Sequence, residues 1–418
     1  MLDLCLIRPG ETIFCGKGSS SKDMNSTPNA NRKHIAIFGK TNSGKSSLLN
    51  TIVGQDVSLV SAINGTTTDP VKKAMELIPY GPVVFIDTAG LDDTGELGEL
   101  RVQRSLKILQ STDFAIYVMD INDLDELAYA DTVKGFKKYS IPHLLVINKT
   151  DLVSNEQLEN VKSRLPEAVF VSADKEKNIL FLKDELIKRL EKDEAEEPIV
   201  GDLVPYGGKI IMVVPVDSEA PKGRLILPQV QLLRDCLDHG IKSYVVRDTE
   251  LESALTDMKN VNLVVTDSQA FKRVSELVQT DIKLTSFSIL FARYKGDLAA
   301  LVDGASKVEE LDQNSRILIS EACSHNHSHE DIGRVKIPKL LNRHVGKELK
   351  YEFRMGHDFP EDISEYDLVI HCGSCMLNKK VMQTRIDFCL EKGVKITNYG
   401  VILAYLNGIL DRCIEIFR

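Results

Sequence analysis

The sequence of 418 residues lacks three features that would point to a membrane, to secretion or to general nucleic-acid binding. No apolar run approaches the roughly 18–20 residues that span a bilayer. Residues 1–23 lack the charged start and long apolar segment of a secretory signal. The net charge of −9 argues against broad nucleic-acid binding, which needs a basic face. We therefore expect a cytoplasmic protein with no nucleic-acid partner and no membrane partner.

Cysteine, by contrast, is well represented, with eight residues. Without a secretory signal these thiols should be reduced, and clustered thiols then indicate metal binding or redox chemistry. Cys236, Cys389 and Cys413 fall on helical patterns beside apolar residues, so we expect them in the core. The cysteines near residues 323 and 372 lie instead beside histidines.

The length of the chain is enough for two or three domains, each with its own core. Short apolar strands alternate with amphipathic helices throughout, which is typical of α/β domains. We predict boundaries at 1–30 for an N-terminal extension, then domains at 31–195, 196–306 and 307–418. The predicted strands are 34–38, 83–86, 114–119, 143–147 and 168–171, then 209–214, 243–246, 262–265 and 283–286, then 316–319, 349–353, 368–370 and 395–397. The predicted helices include 45–53, 181–192, 229–238, 269–278, 289–301, 331–342, 380–391 and 401–417.

A glycine-rich segment follows the first predicted strand and opens a helix, which is the context of a P-loop. Its glycines let backbone N–H groups surround phosphates, and the helix N-terminus adds partial positive charge. Lys45 should reach the β- and γ-phosphates, and the Ser46 hydroxyl should ligate Mg²⁺. The predicted nucleotide contacts in this segment are Gly39, Asn42, Ser43, Gly44, Lys45, Ser46 and Ser47.

Two further segments predict the magnesium and γ-phosphate contacts. Asp87-Thr-Ala-Gly90 follows a strand, so the carboxylate can hold Mg²⁺ through water and Gly90 can sense the γ-phosphate. Gly65-Thr-Thr-Thr68 supplies the switch threonine, for which we choose Thr67, also as a magnesium ligand. The predicted catalytic set is therefore Lys45, Thr67, Asp87 and Gly90.

The base-reading motifs specify guanine. In Asn148-Lys149-Thr-Asp151 the Asp151 carboxylate has the spacing to accept from the guanine N1 and N2 groups, which adenine does not offer. Ser172 and Ala173 should close over the edge of the base. Together with the P-loop these motifs predict a GTPase, and the fold class is α/β: a P-loop GTPase domain followed by two further α/β domains.

Two residues concern the rate of hydrolysis. Leu91 stands where Ras-like enzymes carry the glutamine that positions water, so intrinsic hydrolysis should be slow. Asn42 matches the asparagine that holds a potassium ion in GTPases of the tRNA-modification TrmE type, and such an ion would offset transition-state charge; P-loop hydrogen bonding alone is the alternative for Asn42. Glu99 lies at a spacing that resembles the TrmE catalytic glutamate, although its flanking residues align poorly.

The C-terminal region carries Cys323-Ser-His325 and, 45 residues further on, His371-Cys372-Gly-Ser-Cys375. Each segment begins where a predicted strand ends, which favours a shared site at one edge of the sheet. Three thiolates suit a four-iron cluster with one open iron, and three thiolates with one histidine suit a structural zinc. The spacing leaves both metals open.

On these residues the chain resembles the HydF family of [FeFe]-hydrogenase maturation GTPases. The resemblance runs from Asn25-Ser-Thr-Pro-Asn-Ala-Asn-Arg32 through the P-loop and Gly65-Thr-Thr-Thr-Asp-Pro-Val71 to the paired C-terminal motifs. It covers nearly everything after residue 24, and few GTPases carry these cysteine motifs.

The resemblance implies a dimerisation domain at 196–306 and a [4Fe-4S]-binding domain at 307–418, with Cys323, Cys372 and Cys375 as cluster ligands. His325 and His371 also match motif positions and are possible metal ligands. It implies a homodimer, or a tetramer, that uses GTP, Mg²⁺ and K⁺. Such a protein completes a transient di-iron subcluster precursor and passes it to the [FeFe]-hydrogenase apoprotein, with the radical-SAM maturases HydE and HydG as partners.

Two alternatives of other classes stay open. A potassium-dependent tRNA-modification or ribosome-assembly GTPase with a structural zinc domain explains the P-loop and Asn42 equally well. Against it, the sequence lacks the C-terminal Cys-x-Gly-Lys of the TrmE type, a Gly-x-x-Gly clamp and a basic surplus. A metal-chaperone GTPase that handles nickel or zinc is the other alternative.

Overall fold

The computed structural model of the protein describes residues 28–54, 62–63, 71–88, 98–192, 198–215, 225–268, 270–322, 331–356, 358–374 and 376–418. Three sheets follow one another along the chain, each with helices packed against it. Within the described ranges, no helix combines the length and the apolar character that crossing a bilayer requires.

The first sheet has seven strands in the order β2-β3-β4-β1-β5-β6-β7. Its elements are β1 (Lys33–Phe38), α1 (Lys45–Gly54), β2 (Ala62–Ile63), β3 (Val71–Leu77), β4 (Gly81–Asp87), α2 (Gly98–Ser111), β5 (Phe114–Asp120), α3 (Glu126–Lys138), β6 (His143–Asn148), α4 (Asn155–Arg164), β7 (Val169–Phe170) and α5 (Ile179–Lys192). The strands from β4 to β7 in this order are parallel, and β2 and β3 extend the sheet antiparallel. The parallel part places the ends of β1, β4 and β6 at one edge, where open α/β sheets hold their ligands.

The strand β3 was not predicted from the sequence. Its sequence, Val-Lys-Lys-Ala-Met-Glu-Leu, carries three charges among seven residues, so it does not read as a buried apolar run. In the structure its polar residues are at least partly exposed while Ala74, Met75 and Leu77 are buried. Met75 and Leu77 pack into one hydrophobic cluster and Ala74 into another, so both faces of β3 are partly covered. Its pattern differs from that of the parallel strands because charged residues interrupt the apolar run.

The second sheet has four parallel strands in the order β11-β10-β8-β9. Its elements are β8 (Lys209–Val213), α6 (Leu227–Asp238), β9 (Lys242–Val246), α7 (Leu251–Asp257), β10 (Leu263–Thr266), α8 (Phe271–Leu277), β11 (Lys283–Ser286), α9 (Phe287–Lys295) and α10 (Leu298–Ser306).

The third sheet also has four parallel strands, in the order β13-β12-β14-β15. Its elements are β12 (Arg316–Glu321), a π-helical turn (Ile332–Lys336), α11 (Ile337–Val345), β13 (Lys350–Met355), β14 (Leu368–His371), α12 (Lys379–Glu391), β15 (Lys395–Asn398), α13 (Tyr399–Leu406) and α14 (Leu410–Ile414).

Two predicted helices are wrong because each is broken in the structure. The predicted helix 289–301 is interrupted at Gly296, and Asp297 starts α10 by accepting a hydrogen bond from the Ala300 N–H. The predicted helix 401–417 is interrupted at Gly408, whose φ of +69° is a left-handed conformation that glycine adopts without strain. Apolar spacing continued across both breaks and concealed them.

The second and third sheets share one hydrophobic core, whereas the first sheet has cores of its own. The shared core joins Ile211 and Leu284 of the second sheet to Ile319 and Ile370 of the third. The helix α10 packs closely on β15, because a Cβ placed on Gly304 would lie 1.8 Å from the Ile396 carbonyl oxygen. The chain after residue 198 is therefore packed as one unit.

Candidate nucleotide and metal sites

The P-loop between β1 and α1 needs its two glycines for space as well as for backbone conformation. Gly39 has φ +141°, and a Cβ there would lie 2.1 Å from the Val118 carbonyl oxygen. Gly44 has φ +90°, and a Cβ there would lie 2.3 Å from Asn148 Nδ2. These close approaches bring the loop against the ends of neighbouring elements and leave no room for any other residue.

The side chains predicted to bind phosphate and Mg²⁺ lie around the start of α1 and at the end of β4. Lys45 is buried, and its ammonium donates to the Gly39 carbonyl oxygen and, at 2.9 Å, to that of Lys40. Ser46 and Ser47 are exposed in the first turn of the ten-residue helix α1. Asp87 ends β4 and is paired in register with Ile37 of the neighbouring strand β1. Backbone N–H groups, a lysine, a serine and a carboxylate thus stand together as a phosphate and Mg²⁺ site requires.

Asn148 joins the P-loop to the loop after β7. Its Nδ2 donates to the Ser43 carbonyl oxygen at 3.1 Å, and its Oδ1 accepts from the Ala173 N–H at 3.0 Å. The side chain is therefore a brace between the phosphate-binding and base-binding segments. This role was not read from the sequence, in which Asn148 was predicted as a direct nucleotide contact.

Lys149 makes a second brace. It has φ +62°, and its ammonium donates to the Asn42 carbonyl oxygen at 2.6 Å and to the Asp120 carboxylate at 2.7 Å. Asp120 was missed by sequence reasoning, although its position at the end of β5 was a signal that could have identified it. Asn42 itself lies in the left-handed region with φ +66° and is exposed.

Asp151 is held for base reading by Ser172. The Ser172 hydroxyl donates to Asp151 Oδ1 at 2.5 Å, and this hydrogen bond lowers the pKa of the carboxyl. The same hydroxyl oxygen accepts from the Lys175 N–H at 3.1 Å. The carboxylate is thus exposed, ionised at neutral pH and fixed in direction, as an acceptor for two N–H groups of a base needs to be.

Several predicted residues lie outside the described part of the chain. They are Thr67, Gly90 and Leu91 near the nucleotide, and Cys323, His325 and Cys375 of the cysteine motifs. Glu99 falls in α2, and its side chain is also outside the description.

Cys372 lies between β14 and α12, and the described flanks of the other two motif cysteines meet it there. Its N–H donates to the Ser320 carbonyl oxygen at 2.9 Å, and its Sγ accepts from the Ala322 N–H at 3.0 Å. Ala322 immediately precedes Cys323, and Ser374 immediately precedes Cys375. The described residues that flank the two motifs therefore meet at the ends of the adjacent parallel strands β12 and β14.

His371 ends β14 with its side chain fully buried and both ring nitrogens engaged. Arg385 Nη1 lies 2.6 Å from Nε2, and because a guanidinium stays protonated, Nε2 must accept. Nδ1 then carries the proton and donates to the Cys372 carbonyl oxygen at 2.9 Å. In this arrangement no lone pair of His371 is free, so a ligand role for it stays a prediction that requires the Arg385 bond to break.

The loop between β14 and α12, residues 372–378, is called the cysteine loop and is also held by the second domain. Lys295 of α9 is buried, and its ammonium donates to the Ser374 and Leu377 carbonyl oxygens, each at 3.1 Å. These two acceptors lie on either side of Cys375 in the sequence.

The GTPase domain holds the far end of the same loop through Asn378. Asn378 caps α12 by accepting from the Val381 N–H at 3.2 Å. Its amide donates across the domain boundary to the Ser111 carbonyl oxygen at 2.9 Å and to the Asp113 carboxylate at 3.2 Å. Ser111 ends α2, so the cysteine loop is connected to the end of the helix that follows the Asp-Thr-Ala-Gly segment in the sequence.

Cys372 is the one motif cysteine among the described residues, and its thiol is accessible to an iron–sulfur cluster or to a zinc ion. Cys372 is only half-buried, whereas Cys236, Cys389 and Cys413 are fully buried, which confirms the prediction that these three belong to the core. Burial raises the pKa of the Cys389 and Cys413 thiols to about 12, so neither is poised as a thiolate. Among the described residues no three metal-binding side chains are grouped, since two of the three motif cysteines lie outside that set.

The fold and these sites define a P-loop GTPase with two further α/β domains. The domain model described as hydrogen maturase F dimerization domain matches residues 199–296, the hydrogen maturase F tetramerization domain matches 299–416, and the 50S ribosome-binding GTPase model matches 34–149. The chain therefore belongs to the HydF family, within the TrmE/Era-like GTPases.

Individual relatives match the GTPase domain. GTPase Der of Wolinella succinogenes is 36% identical over 170 residues, which are 37% of this chain and 35% of that protein. The tRNA modification GTPase MnmE of Helicobacter pylori is 37% identical over 146 residues, or 34% of this chain and 31% of that protein. The chain thus spans about a third of the length of these curated relatives.

Among solved structures, Aquifex aeolicus Era is similar at 21% sequence identity with a TM-score of 0.30. The similarity covers 58% of this chain and 97% of that one. A TM-score this low adds nothing to the description of the GTPase fold.

Proposed function

We propose that the protein is a GTP-hydrolysing scaffold that carries a [4Fe-4S] cluster, completes a di-iron subcluster precursor and delivers it to the [FeFe]-hydrogenase apoprotein. The observation that carries the proposal is the contact of Cys372 with Ala322, the residue before Cys323, at one sheet edge in a chain that matches both hydrogen maturase F domains. The domains of the proposal are 31–195 for GTP, 196–306 for dimerisation and 307–418 for the cluster.

The nucleotide chemistry rests on residues already positioned. Lys45 and the α1 N-terminus would neutralise phosphate charge, and Ser46 and Asp87 would hold Mg²⁺, with Thr67 and Gly90 completing the site. Asp151, Ser172 and Ala173 would select guanine. Leu91 in place of a water-positioning glutamine favours slow turnover, and Asn42 together with the MnmE-like relatives supports stimulation by potassium.

Cys323, Cys372 and Cys375 would hold the cluster, which supplies an iron with an exchangeable position when bound. The protein's part is to fix the cysteine loop: β12 and β14 align the two motifs, and Lys295 and Asn378 hold the loop ends. The di-iron precursor is cargo. HydE, HydG and the hydrogenase are the proposed partners of a homodimer or tetramer, and we place this exchange in the cytoplasm.

The test is anaerobic reconstitution with iron and sulfide, followed by transfer to apo-hydrogenase and measurement of hydrogen evolution. We expect a brown protein with a reducible four-iron EPR signal and GTPase activity that is higher in potassium than in sodium chloride. Cys372→Ser should abolish hydrogenase activation and leave GTP hydrolysis unchanged, while Cys413→Ser, in the core, serves as the control for loss of a thiol. A colourless protein that binds one zinc tightly would refute the cluster.

A further inference from the structure

Arg385 is a buried cation that the GTPase and cysteine motifs do not account for. It lies on α12 and is only 5% exposed. Burial lowers its pKa to about 10, so the guanidinium is still charged at neutral pH. A charge at such a depth is costly unless an anion or a full set of hydrogen bonds compensates it.

The direct partners of Arg385 are all neutral. Nη1 donates to Ser320 Oγ at 3.3 Å and to His371 Nε2 at 2.6 Å, and Nη2 donates to the Gly356 carbonyl oxygen at 2.9 Å. The guanidinium carbon lies 4.9 Å from the centre of the Phe359 ring. Across the described ranges, no carboxylate forms an ion pair with Arg385, and Asp358 nearby pairs with Arg354 at 3.5 Å.

None of these partners is an anion. The hydrogen bonds of Arg385 lead through His371 and Ser320 to Cys372, which indicates where an anion would lie. His371 and Ser320 are adjacent in register on β14 and β12, at the strand ends from which the cysteine motifs continue. His371 Nδ1 donates to the Cys372 carbonyl oxygen, and the Ser320 carbonyl oxygen accepts from the Cys372 N–H. Arg385 therefore lies behind the backbone that presents the Cys372 thiol.

We propose that Arg385 is the buried counter-cation of the cysteine site, a positioning residue that stabilises an anionic cluster and fixes His371 as a neutral hydrogen-bond acceptor. The inference rests on the proposed function, because a cluster held by three thiolates is an anion whose charge grows on reduction. A fixed positive charge nearby stabilises the reduced form more than the oxidised form and so raises the midpoint potential. The ionisable groups that act on Arg385 are Cys372, Cys389 of the same helix and Asp358. Tyr399 of α13 lies near Cys372 and donates to the Glu321 carboxylate of β12, which also pairs with Arg334.

The test compares Arg385→Gln with Arg385→Lys in the full-length, anaerobically reconstituted protein. Iron and sulfide content is measured first, and the midpoint potential is then determined by an EPR-monitored redox titration. We expect Arg385→Gln to shift the potential to more negative values and Arg385→Lys, which keeps the charge, to stay near the wild-type value. Arg354→Gln on β13 is the matched control, since Arg354 is 41% exposed and paired with Glu352, and it should leave the potential unchanged.

The outcomes separate this inference from the proposed function. If the wild-type chain holds no cluster, the proposed function fails before Arg385 is tested. If it holds one and Arg385→Gln has the wild-type potential at equal iron content, or Arg354→Gln shifts the potential as much, the role of Arg385 is refuted. Should Arg385→Gln not fold, Arg385→Lys decides alone: a wild-type potential supports the charge, and a clear negative shift refutes it.

Discussion

Single side chains in the nucleotide site act mostly by holding one another. Asn148 and Lys149 connect the P-loop to the base-binding segment, while the carboxylate of Asp151 is exposed. The hydrogen bond from Ser172 lowers the pKa of Asp151, so the carboxylate is ionised throughout the neutral range. Asn148 and Lys149 support the loops, whereas Asp151 is predicted to contact the base. A substitution of Asp151 should therefore change base preference without disturbing the support.

At the residue scale we expect Asp151→Asn to lower GTP affinity and to raise affinity for xanthosine triphosphate. Asparagine presents an N–H₂ where guanine also presents donors, and loss of a charged hydrogen bond weakens binding roughly 10- to 100-fold. Fluorescent-nucleotide titration measures both affinities. Asp174→Asn, an exposed carboxylate paired with Lys175, is the control and should bind GTP as the wild type does. Unchanged GTP affinity in Asp151→Asn would contradict the assignment.

Among the elements, α12 has the most connections between domains. Its N-cap Asn378 contacts the end of α2, Lys380 donates to the Tyr139 and Ser140 carbonyl oxygens, and Thr384 donates to that of Gln110 at 3.4 Å. The same helix begins four residues after Cys375 and carries Arg385. Any movement of α2 with nucleotide state is therefore applied to the helix that supports the cysteine loop.

At the element scale we expect Asn378→Ser to separate nucleotide state from the cysteine loop. Serine can still cap α12, because its hydroxyl accepts from an N–H of the first turn, but it has no amide to donate to Ser111 and Asp113. Hydrogen–deuterium exchange of residues 372–384 is measured with and without a non-hydrolysable GTP analogue. The wild type should show a nucleotide-dependent change that the variant has lost, with GTP hydrolysis intact.

The matched control for this experiment is Asn398→Ser, because Asn398 caps α13 in the same way by accepting from the Val401 N–H at 2.8 Å. Asn398 lies at the end of β15, inside the third sheet. Its variant should keep the nucleotide response. A response that persists equally in Asn378→Ser would argue against transmission through α12.

The whole molecule is divided unevenly between its cores. The GTPase sheet has its own hydrophobic clusters on both faces, whereas one cluster runs through the second and third sheets. In the described part of the chain, the hydrogen bonds between these two parts are made by α12 and its N-cap Asn378, and such bonds are individually weak beside a shared apolar core. The molecule should therefore unfold as two cooperative units although it has three sheets.

At the scale of the whole molecule we expect two transitions in a calorimetric scan. A GTP analogue with Mg²⁺ should raise the midpoint of one transition only, since a ligand at 100 times its Kd stabilises the unit that binds it by about 2.7 kcal/mol. Asp151→Asn should remove most of that shift. A single transition, or a shift of both by the same amount, would contradict the division.

Much of the fold followed from the sequence because parallel strands are buried on both faces and therefore read as short apolar runs. The predicted strands of the second and third domains all lie within a residue or two of their observed positions. The antiparallel β3 was missed because charged residues interrupt its apolar run, and the breaks at Gly296 and Gly408 were missed because apolar spacing continued across them. The local pattern of apolar residues indicates that a segment is buried, but it does not indicate which other element buries it.

The sequence by itself determined what chemistry is proposed for this protein: residue types at fixed short spacings predict a guanine nucleotide, a magnesium ion and three thiolates. Only the tertiary structure decided how those groups are supported. Asn148, Lys295, Asn378 and Arg385 make contacts between residues far apart in the chain, to which no local pattern responds. Motifs can be recognised in a sequence because the ligand requires a fixed spacing of residues. The contacts that hold the motif residues in place depend instead on how the domains pack together.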